Sequence, residues 1–302
     1  MEQTKRVIAL GFFDGVHIGH GALLRRVGEI AARDGYIPAA LTFDHHPKDF
    51  IPGAEHIPLI NTPADREELM HRLYGIRQVM VLPFDEHTRE MPWRDFVTRL
   101  LVERYQAAHL VAGHDYHFGY QGQGDPERLR ALCGQLGIGC DIIGRVELDG
   151  VTVSSTYIRT LIQSGDMERA ARFLGHPHTL SGPVVHGKGL GRTIGIPTSN
   201  LVVPQGVLMP AFGVYATRVW IEGKGYLAVT NVGVRPTVED TDRVTVEPWI
   251  LDFDGDLYGQ NIRVEFYQQL RPERKFGSID ELKAAILENA RQTRAYFGQD
   301  RG

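Results

Sequence analysis

The chain has 302 residues, 42% of them hydrophobic, with 33 lysines and arginines against 37 aspartates and glutamates and a formal net charge of -4. That length suggests one large or two ordinary domains, and the balanced charge exerts no long-range pull on nucleic acid or an anionic membrane. No apolar run is long enough to span a bilayer, no charged-then-apolar leader follows Met1, and the two cysteines, Cys133 and Cys140, lack ligand spacing, so a reduced, cytoplasmic protein with no membrane partner is expected.

An apolar strand over 7–10 runs into Gly11-Phe12-Phe13-Asp14-Gly15-Val16-His17-Ile18-Gly19-His20, and an amphipathic helix follows over 21–33. A strand, a glycine-rich turn and a helix aim unpaired backbone N–H groups and a positive helix end at phosphate. His17 and His20 sit three apart where the helix starts, so both rings can turn toward one anion. Gly19 between them lacks the Cβ that would hold a nucleobase or phosphate away. The plain alternative is two histidines in a polar turn.

Further strands are predicted over 37–43, 78–83, 110–112 and 140–143, alternating with helices over 65–73, 93–105 and 125–136. Short helices over 155–164 and 167–173 close this half. Such alternation predicts a parallel sheet with helices on both faces, and ligands gather at the carboxyl ends of its strands. The second strand ends in Thr42-Phe43-Asp44-His45-His46-Pro47, where a histidine can donate to a phosphate or ribose, or simply be a turn residue held by the proline. The fourth ends in Gly113-His114-Asp115-Tyr116-His117-Phe118-Gly119. Its bracketing glycines suit close approach to a flat ligand on Tyr116 or Phe118; alternatively Phe118 fills the core of an ordinary turn. Ser154-Ser155-Thr156-Tyr157-Ile158-Arg159 then sets hydroxyls before a helix with Arg159 one turn in, suited to polyphosphate or, for the hydroxyls, to helix capping.

The texture changes near His176. Short β-like runs over 214–220, 227–231, 244–252 and 262–267 are divided by Gly, Pro and Asp turns, which reads as an antiparallel barrel or sandwich. A last amphipathic helix spans 278–296 with Ser278 as its N-cap. Before these runs, Gly187, Gly189, Gly191 and Gly195 interspersed with Lys188 and Arg192 form a cationic flap that offers N–H groups to phosphate. Pro197-Thr198-Ser199-Asn200 supplies hard oxygen ligands suited to Mg²⁺. The segment is not a Walker A loop.

Taken together, Gly-x-Phe-Asp-Gly-Val-His-x-Gly-His, Thr-Phe-x-x-His-Pro, Gly-x-Asp-x-x-Phe-Gly and Ser-Ser-Thr-x-Ile-Arg resemble the adenylyltransferase half of the bacterial bifunctional riboflavin kinase/FMN adenylyltransferase (FAD synthetase) family. The second half resembles the kinase half through Pro-Thr-x-Asn, Asn231 to Thr237, Thr245-Val246-Glu247, Leu257-Tyr258-Gly259 and 271–276. His45, His114, His117, Phe212 and Asn289 depart from the family's usual residues.

The resemblance implies a Rossmann-like nucleotidyltransferase domain over 1–178 and, over 179–302, a six-stranded antiparallel barrel with a terminal helix. It implies that ATP phosphorylates riboflavin to FMN in the second domain and adenylylates FMN to FAD in the first, with Mg²⁺ as cofactor. A phosphate monoester is anionic at pH 7, so the adenylyl transfer calls for positioned charge rather than a base. The catalytic residues implied are His17, His20, Arg159 and Glu247, the last as base for the ribityl hydroxyl, against the alternative of a barrel-edge glutamate facing water. Gly11, Phe12, Asp14, Gly15, Gly19, His46, Ser154, Ser155 and Thr156 fall to ATP in the first domain, with the flap in the second. Thr198 and Asn200 fall to the metal, Asp115 and Phe118 to the flavin, and Arg271 and Phe276 to ATP or the flavin. No nucleic-acid partner is expected, and the assembly expected is a monomer or weak homo-oligomer. A flavin- or nucleotide-binding regulatory module joined to a kinase, and an adenylyltransferase for another acid, are the competing readings.

Overall fold

The computed structural model describes residues 5–50, 53, 56–186, 195–235 and 243–298. The chain divides into two compact units, Met1–Ser155 and Thr156–Gly302.

In the first unit, β1 (Arg6–Leu10), β2 (Ile37–Phe43), β3 (Gln78–Leu82), β4 (Ala107–Gly113) and β5 (Gly139–Ile143) form a parallel sheet in the order β3-β2-β1-β4-β5. The central strand is buried on both faces, which is why Val7, Ile8, Ala9 and Leu10 form an unbroken apolar run rather than an alternating one. On one face α1 (Ile18–Asp34) and α2 (Pro63–Tyr74) bury Leu24, Val27, Ile30, Leu69 and Met70. Across the sheet, Phe96, Val97, Leu100 and Leu101 pack with Leu129 and Leu132 of α5 (Pro126–Leu136). The predicted helix over 93–105 is wound differently from an α-helix. After α3 (Glu86–Glu90) and α4 (Trp93–Asp95) the chain continues as a π-helix, Phe96–Arg104. A small hairpin of β6 (Glu147–Leu148) and β7 (Val151–Thr152), too short to leave a periodicity, completes the unit.

Strand order reverses between β1 and its two neighbours, β2 and β4. Loops leaving the carboxyl ends of β1 and β4 diverge there, opening the crevice in which such sheets bind ligands. The turn carrying His17 and His20 leaves β1 at that point.

From Thr156 the second unit holds most of α6 (Ser155–Ser164) and all of α7 (Met167–Leu174), which come before the change of sequence texture near His176. They fall with the barrel because α7 packs on it, burying Met167, Ala170, Phe173 and Leu174. The barrel is closed and antiparallel. Its strands are β8 (His178–Val185), β9 (Asn200–Leu201), β10 (Gly213–Ile221), β11 (Lys224–Arg235), β12 (Arg243–Ile250) and β13 (Asn261–Pro272), in the order β10-β11-β12-β9-β8-β13. Between barrel and sandwich, β13 decides, since it pairs with both β10 and β8. β8 carries Ser-Gly-Pro and β9 spans two residues, so neither shows a strand periodicity in the sequence. The terminal helix α8 (Ile279–Tyr296) starts as expected, with the Ser278 side chain accepting from Glu281 N at 3.2 Å. No helix among the described residues is long and apolar enough to cross a membrane.

Candidate active sites

The turn after β1 is shaped by backbone that few residues adopt. Phe13, Gly15 and Val16 have φ of 56°, 83° and 40°, in the left-handed region, so the chain curls tightly into α1. His17 is the N-cap of that helix, and its Nδ1 accepts from the backbone N–H of His20 at 3.2 Å. A ring nitrogen that accepts carries no proton, so the His17 proton sits on Nε2. The His20 ring stacks on His17, with centroids 3.5 Å apart and planes 12° from parallel, and meets the edge of Phe13 at 5.2 Å. Burial above all, then His17 and Arg66, hold the His20 pKa well below the usual imidazole value, so the ring is neutral near pH 7. Its Nδ1 is buried and has no hydrogen-bond partner.

A Cβ at Gly19 would lie 3.1 Å from the His17 ring, so the missing side chain makes room for the imidazole. Gly11 likewise leaves space for the Phe13 ring, 3.0 Å from where its Cβ would be. Asp14 is turned into the protein. Its carboxylate accepts from Ile60 N at 2.9 Å and Asn61 N at 3.3 Å, and its carbonyl accepts from Ser155 Oγ at 2.9 Å. Asp14 thus shapes the anion turn instead of presenting negative charge to phosphate. The His46 ring lies 4.8 Å from that of Phe12, edge to face, beside the turn.

Two residues of this region left no mark in the sequence. Arg66, in the charged run Asp65-Arg66-Glu67-Glu68, reads as part of a solvated helix face yet is 0% exposed. It donates to Phe12 O at 2.6 Å, Thr42 Oγ1 at 3.0 Å and Phe43 O at 3.0 Å, and burial lowers its pKa to about 10. Asn61 is fully buried, and neither end of its side-chain amide has a hydrogen-bond partner. Buried amides are ordinarily paired, and this unpaired one lies beside the turn after β1, where its backbone N–H donates to Asp14.

In the loop after β4 the core-filling alternative holds for Phe118. It is 5% exposed and packed among Tyr116, Phe96 and Trp93, with the Tyr116 ring stacked on it at 5.5 Å, so it offers no face to a flavin. Asp115 does point outward, its side chain 82% exposed. Ser155 starts α6, and Thr156 and Arg159 follow within the first turns of the same helix.

Among the described residues of the second unit, two neighbouring cavities share one residue. A cavity of about 280 Å³ is lined by Thr198, Asn231, Glu247, Arg271, Phe276 and Asn289 among others. A neighbouring one of about 460 Å³ is lined by His186, Thr198, Ser199, Asp254, Asp256 and Tyr258 among others, with the His186 and Tyr258 rings stacked at 3.5 Å. Thr198 belongs to both. Glu247 on β12 is half-buried, lies opposite Asn231 on β11 and lines the first of these cavities. Asn231, which opens the segment 231–237 of the kinase-half resemblance, lines this cavity although it was given no role of its own. Arg271 Nε donates to Asn289 Oδ1 at 3.1 Å, and its guanidinium lies 5.2 Å from the Phe276 ring centre. Asn200 sits in the β8–β9 ladder opposite Val185 and is not among the lining of either cavity. The flap residues Gly187, Lys188, Gly189, Gly191 and Arg192 lie outside the described residues.

Residues 1–157 match the family model for FAD synthetase, and residues 174–297 match that for riboflavin kinase. The chain is 36% identical to the bifunctional riboflavin kinase/FMN adenylyltransferase of Listeria monocytogenes, over 97% of this chain and 93% of that one. It is 37% identical to the protein of that name from Pseudomonas fluorescens, over 96% and 92% of the two chains. Among solved structures it resembles a Streptococcus pneumoniae protein called a macrolide-efflux protein, with 32% identity, a TM-score of 0.86 and coverage of 97% and 95%.

Proposed function

The chain belongs to the bifunctional riboflavin kinase/FMN adenylyltransferase family, and from that premise we propose how its two sites divide the work. It is an enzyme that uses ATP to convert riboflavin to FMN and then FMN to FAD. We assign the adenylyl transfer to residues 1–178 and the phosphorylation to residues 179–302, in a cytoplasmic protein that is a monomer or weak homo-oligomer.

For adenylyl transfer, an oxygen of the FMN phosphate attacks the α-phosphorus of ATP in line and expels diphosphate. The nucleophile is already anionic, so the protein's contribution is alignment and charge stabilisation. His17 Nε2, the His20 ring and the N–H groups of the turn, with Gly11, Phe12, Gly15 and Gly19 in its backbone, would meet the phosphate oxygens. His46 would border the nucleotide. Ser154, Ser155, Thr156 and Arg159 would hold the departing diphosphate, and Asp115 the flavin end.

For phosphorylation, the nucleophile is a neutral alcohol whose proton must leave as it attacks phosphorus. Glu247 would take that proton, with the ribityl chain in the cavity beside Asn231 and the ring system toward Arg271 and Phe276. The neighbouring cavity would take ATP, under the flap of Gly187, Lys188, Gly189, Gly191 and Arg192. Among the described residues no group of three or more His, Cys, Asp or Glu could hold a metal ion, so a metal here would depend on hydroxyl, amide and phosphate oxygens. Such hard donors suit Mg²⁺, and Thr198 and Asn200 would supply the protein's share. When bound, the ion would neutralise charge on the polyphosphate.

The observation that carries this reading is Thr198, which lines the cavity containing Glu247 and the one beside it, so that an alcohol and a polyphosphate entering separately would meet at its hydroxyl. Incubation with riboflavin, Mg²⁺ and ATP tests it. Glu247→Ala should stop FMN formation and spare FAD formation from added FMN, and the double variant H17A/H20A should let FMN accumulate. Unchanged FAD output in that double variant would defeat the two-site assignment.

A further inference from the structure

We propose that Arg66 is a positioning residue for adenylyl transfer, a buried cation that ties the ends of β1 and β2 into the shape the His17–His20 pair requires and sets a fixed positive charge behind it for polyphosphate. The inference rests on the reading of that turn as the adenylyl-transfer site.

The guanidinium is fully buried and reaches the chain at three points, the carbonyls of Phe12 and Phe43 and the hydroxyl of Thr42, while Thr42 Oγ1 itself donates to Phe12 O at 2.7 Å. Phe12 and Phe43 stand at the carboxyl ends of adjacent strands, so one side chain sets the separation of the two loops flanking the anion turn. The planar fork of arginine suits this, since it delivers several N–H bonds in fixed directions. Its plane also lies over the Phe12 ring at 4.5 Å, and that ring in turn touches His46.

What the site lacks is a directly paired counter-ion, since Asp14 and Asp44 favour the charge only from a distance. A buried arginine is ordinarily paired with a carboxylate, because an isolated charge is costly to desolvate. Among the described residues none lies within ion-pair distance of Arg66. Those two acids bond other groups: Asp14 accepts from the N–H groups of Ile60 and Asn61, and Asp44 accepts from Phe84 N and lies beside His45. The Nε of Arg66 has no hydrogen-bond partner. A cation held in this way is compensated when a polyphosphate arrives, so ATP would complete the local charge balance.

The same charge acts on His20. The ionisable groups that act on this ring are His17, stacked on it, and Arg66 of α2. Burial, His17 and Arg66 all oppose protonation of His20. Without the guanidinium, His20 gains a proton at higher pH, and repulsion across the 3.5 Å stack then disturbs the pair.

Arg66→Met and Arg66→Lys in the full chain test this, with riboflavin phosphorylation in the same preparation as the folding control. R66M should raise KM for ATP and lower kcat for FAD formation by on the order of tenfold or more. Its acid limb should move to higher pH, and the His20 titration followed by NMR should move with it. R66K should keep the limb where it is and lose kcat, because an ammonium cannot hold three acceptors in a fork. Should R66M abolish cooperative unfolding of the first unit, R66K decides: lower kcat with an unmoved limb supports the inference, and unchanged kcat overturns it. A folded R66M with unchanged kinetics and pH profile also overturns it. If H17A/H20A keeps forming FAD, the reading of the turn fails; if that variant is dead and R66M is normal, only the role of Arg66 fails.

Discussion

The imidazoles of His17 and His20 lie face to face with centroids 3.5 Å apart, and the one accepts a hydrogen bond from the backbone N–H of the other at 3.2 Å. Two imidazolium ions at that separation would repel strongly, so at most one of the two rings carries a second proton. Each ring then has its own place against the developing charge. Single replacements with alanine should each reduce kcat for FAD formation by about 10²–10³ and leave FMN formation unchanged, as measured by product analysis with each substrate supplied separately. The double replacement should cost less than the product of the two, because the rings act as a unit. Gly19→Ala should mimic the His17 loss by pushing the ring aside.

Glu247 lines a cavity of the second unit. Replacement by glutamine keeps the shape and removes the base, so kcat for FMN formation should fall by about 10²–10⁴ with little change in KM for riboflavin. A parallel rise in KM with kcat unchanged would mean that the carboxylate only binds the substrate.

Arg271 holds its orientation through Asn289 Oδ1, and Asn289 is 3% exposed on α8. Asn289→Ala leaves the arginine without that acceptor and should cost the second unit about 1–3 kcal/mol in a denaturant titration. KM for riboflavin should rise as well. Asn289→Asp keeps the acceptor and adds charge, so it should restore the stability lost in the alanine variant.

Acid should weaken both units through buried neutral histidines. His178 is 1% exposed in β8, and burial, helped by His176, pushes its pKa down to about 3 from 6.5. A histidine depressed in the folded state binds fewer protons than in the unfolded chain, so stability falls as pH drops below about 6.5 and continues to fall toward about 3. Near pH 5 this should cost about 2 kcal/mol. His20 shifts in the same direction in the first unit. His178→Phe should flatten this slope for the second unit, as read from unfolding midpoints at several pH values.

Much of this was legible in the sequence because local chemistry carries it. The run 7–20 announces a strand, an anion turn and a helix, and the His17–His20 spacing places both rings at one helix start whatever the rest of the chain does. Pro-Thr-x-Asn and Thr245-Val246-Glu247 each contribute one residue, Thr198 and Glu247, to the lining of one cavity. Less legible was anything that depends on what a side chain meets across the fold. Phe118 in a glycine-bracketed loop reads equally as a stacking platform or a core residue, and only the packing of Tyr116, Phe96 and Trp93 around it decides.

By itself, then, the order of residues determined the alternation that builds a parallel sheet, the change to antiparallel strands, and the two clusters of phosphate-seeking groups, because helix and strand periods and glycine turns are short-range properties. Tertiary structure alone decided that Arg66, in a run that looks solvated, is buried at the ends of β1 and β2. It decided too that Asp14 faces inward and that Thr198 is common to two cavities. Desolvation, charge balance and cavity lining are set by neighbours distant in sequence, and no local pattern encodes them.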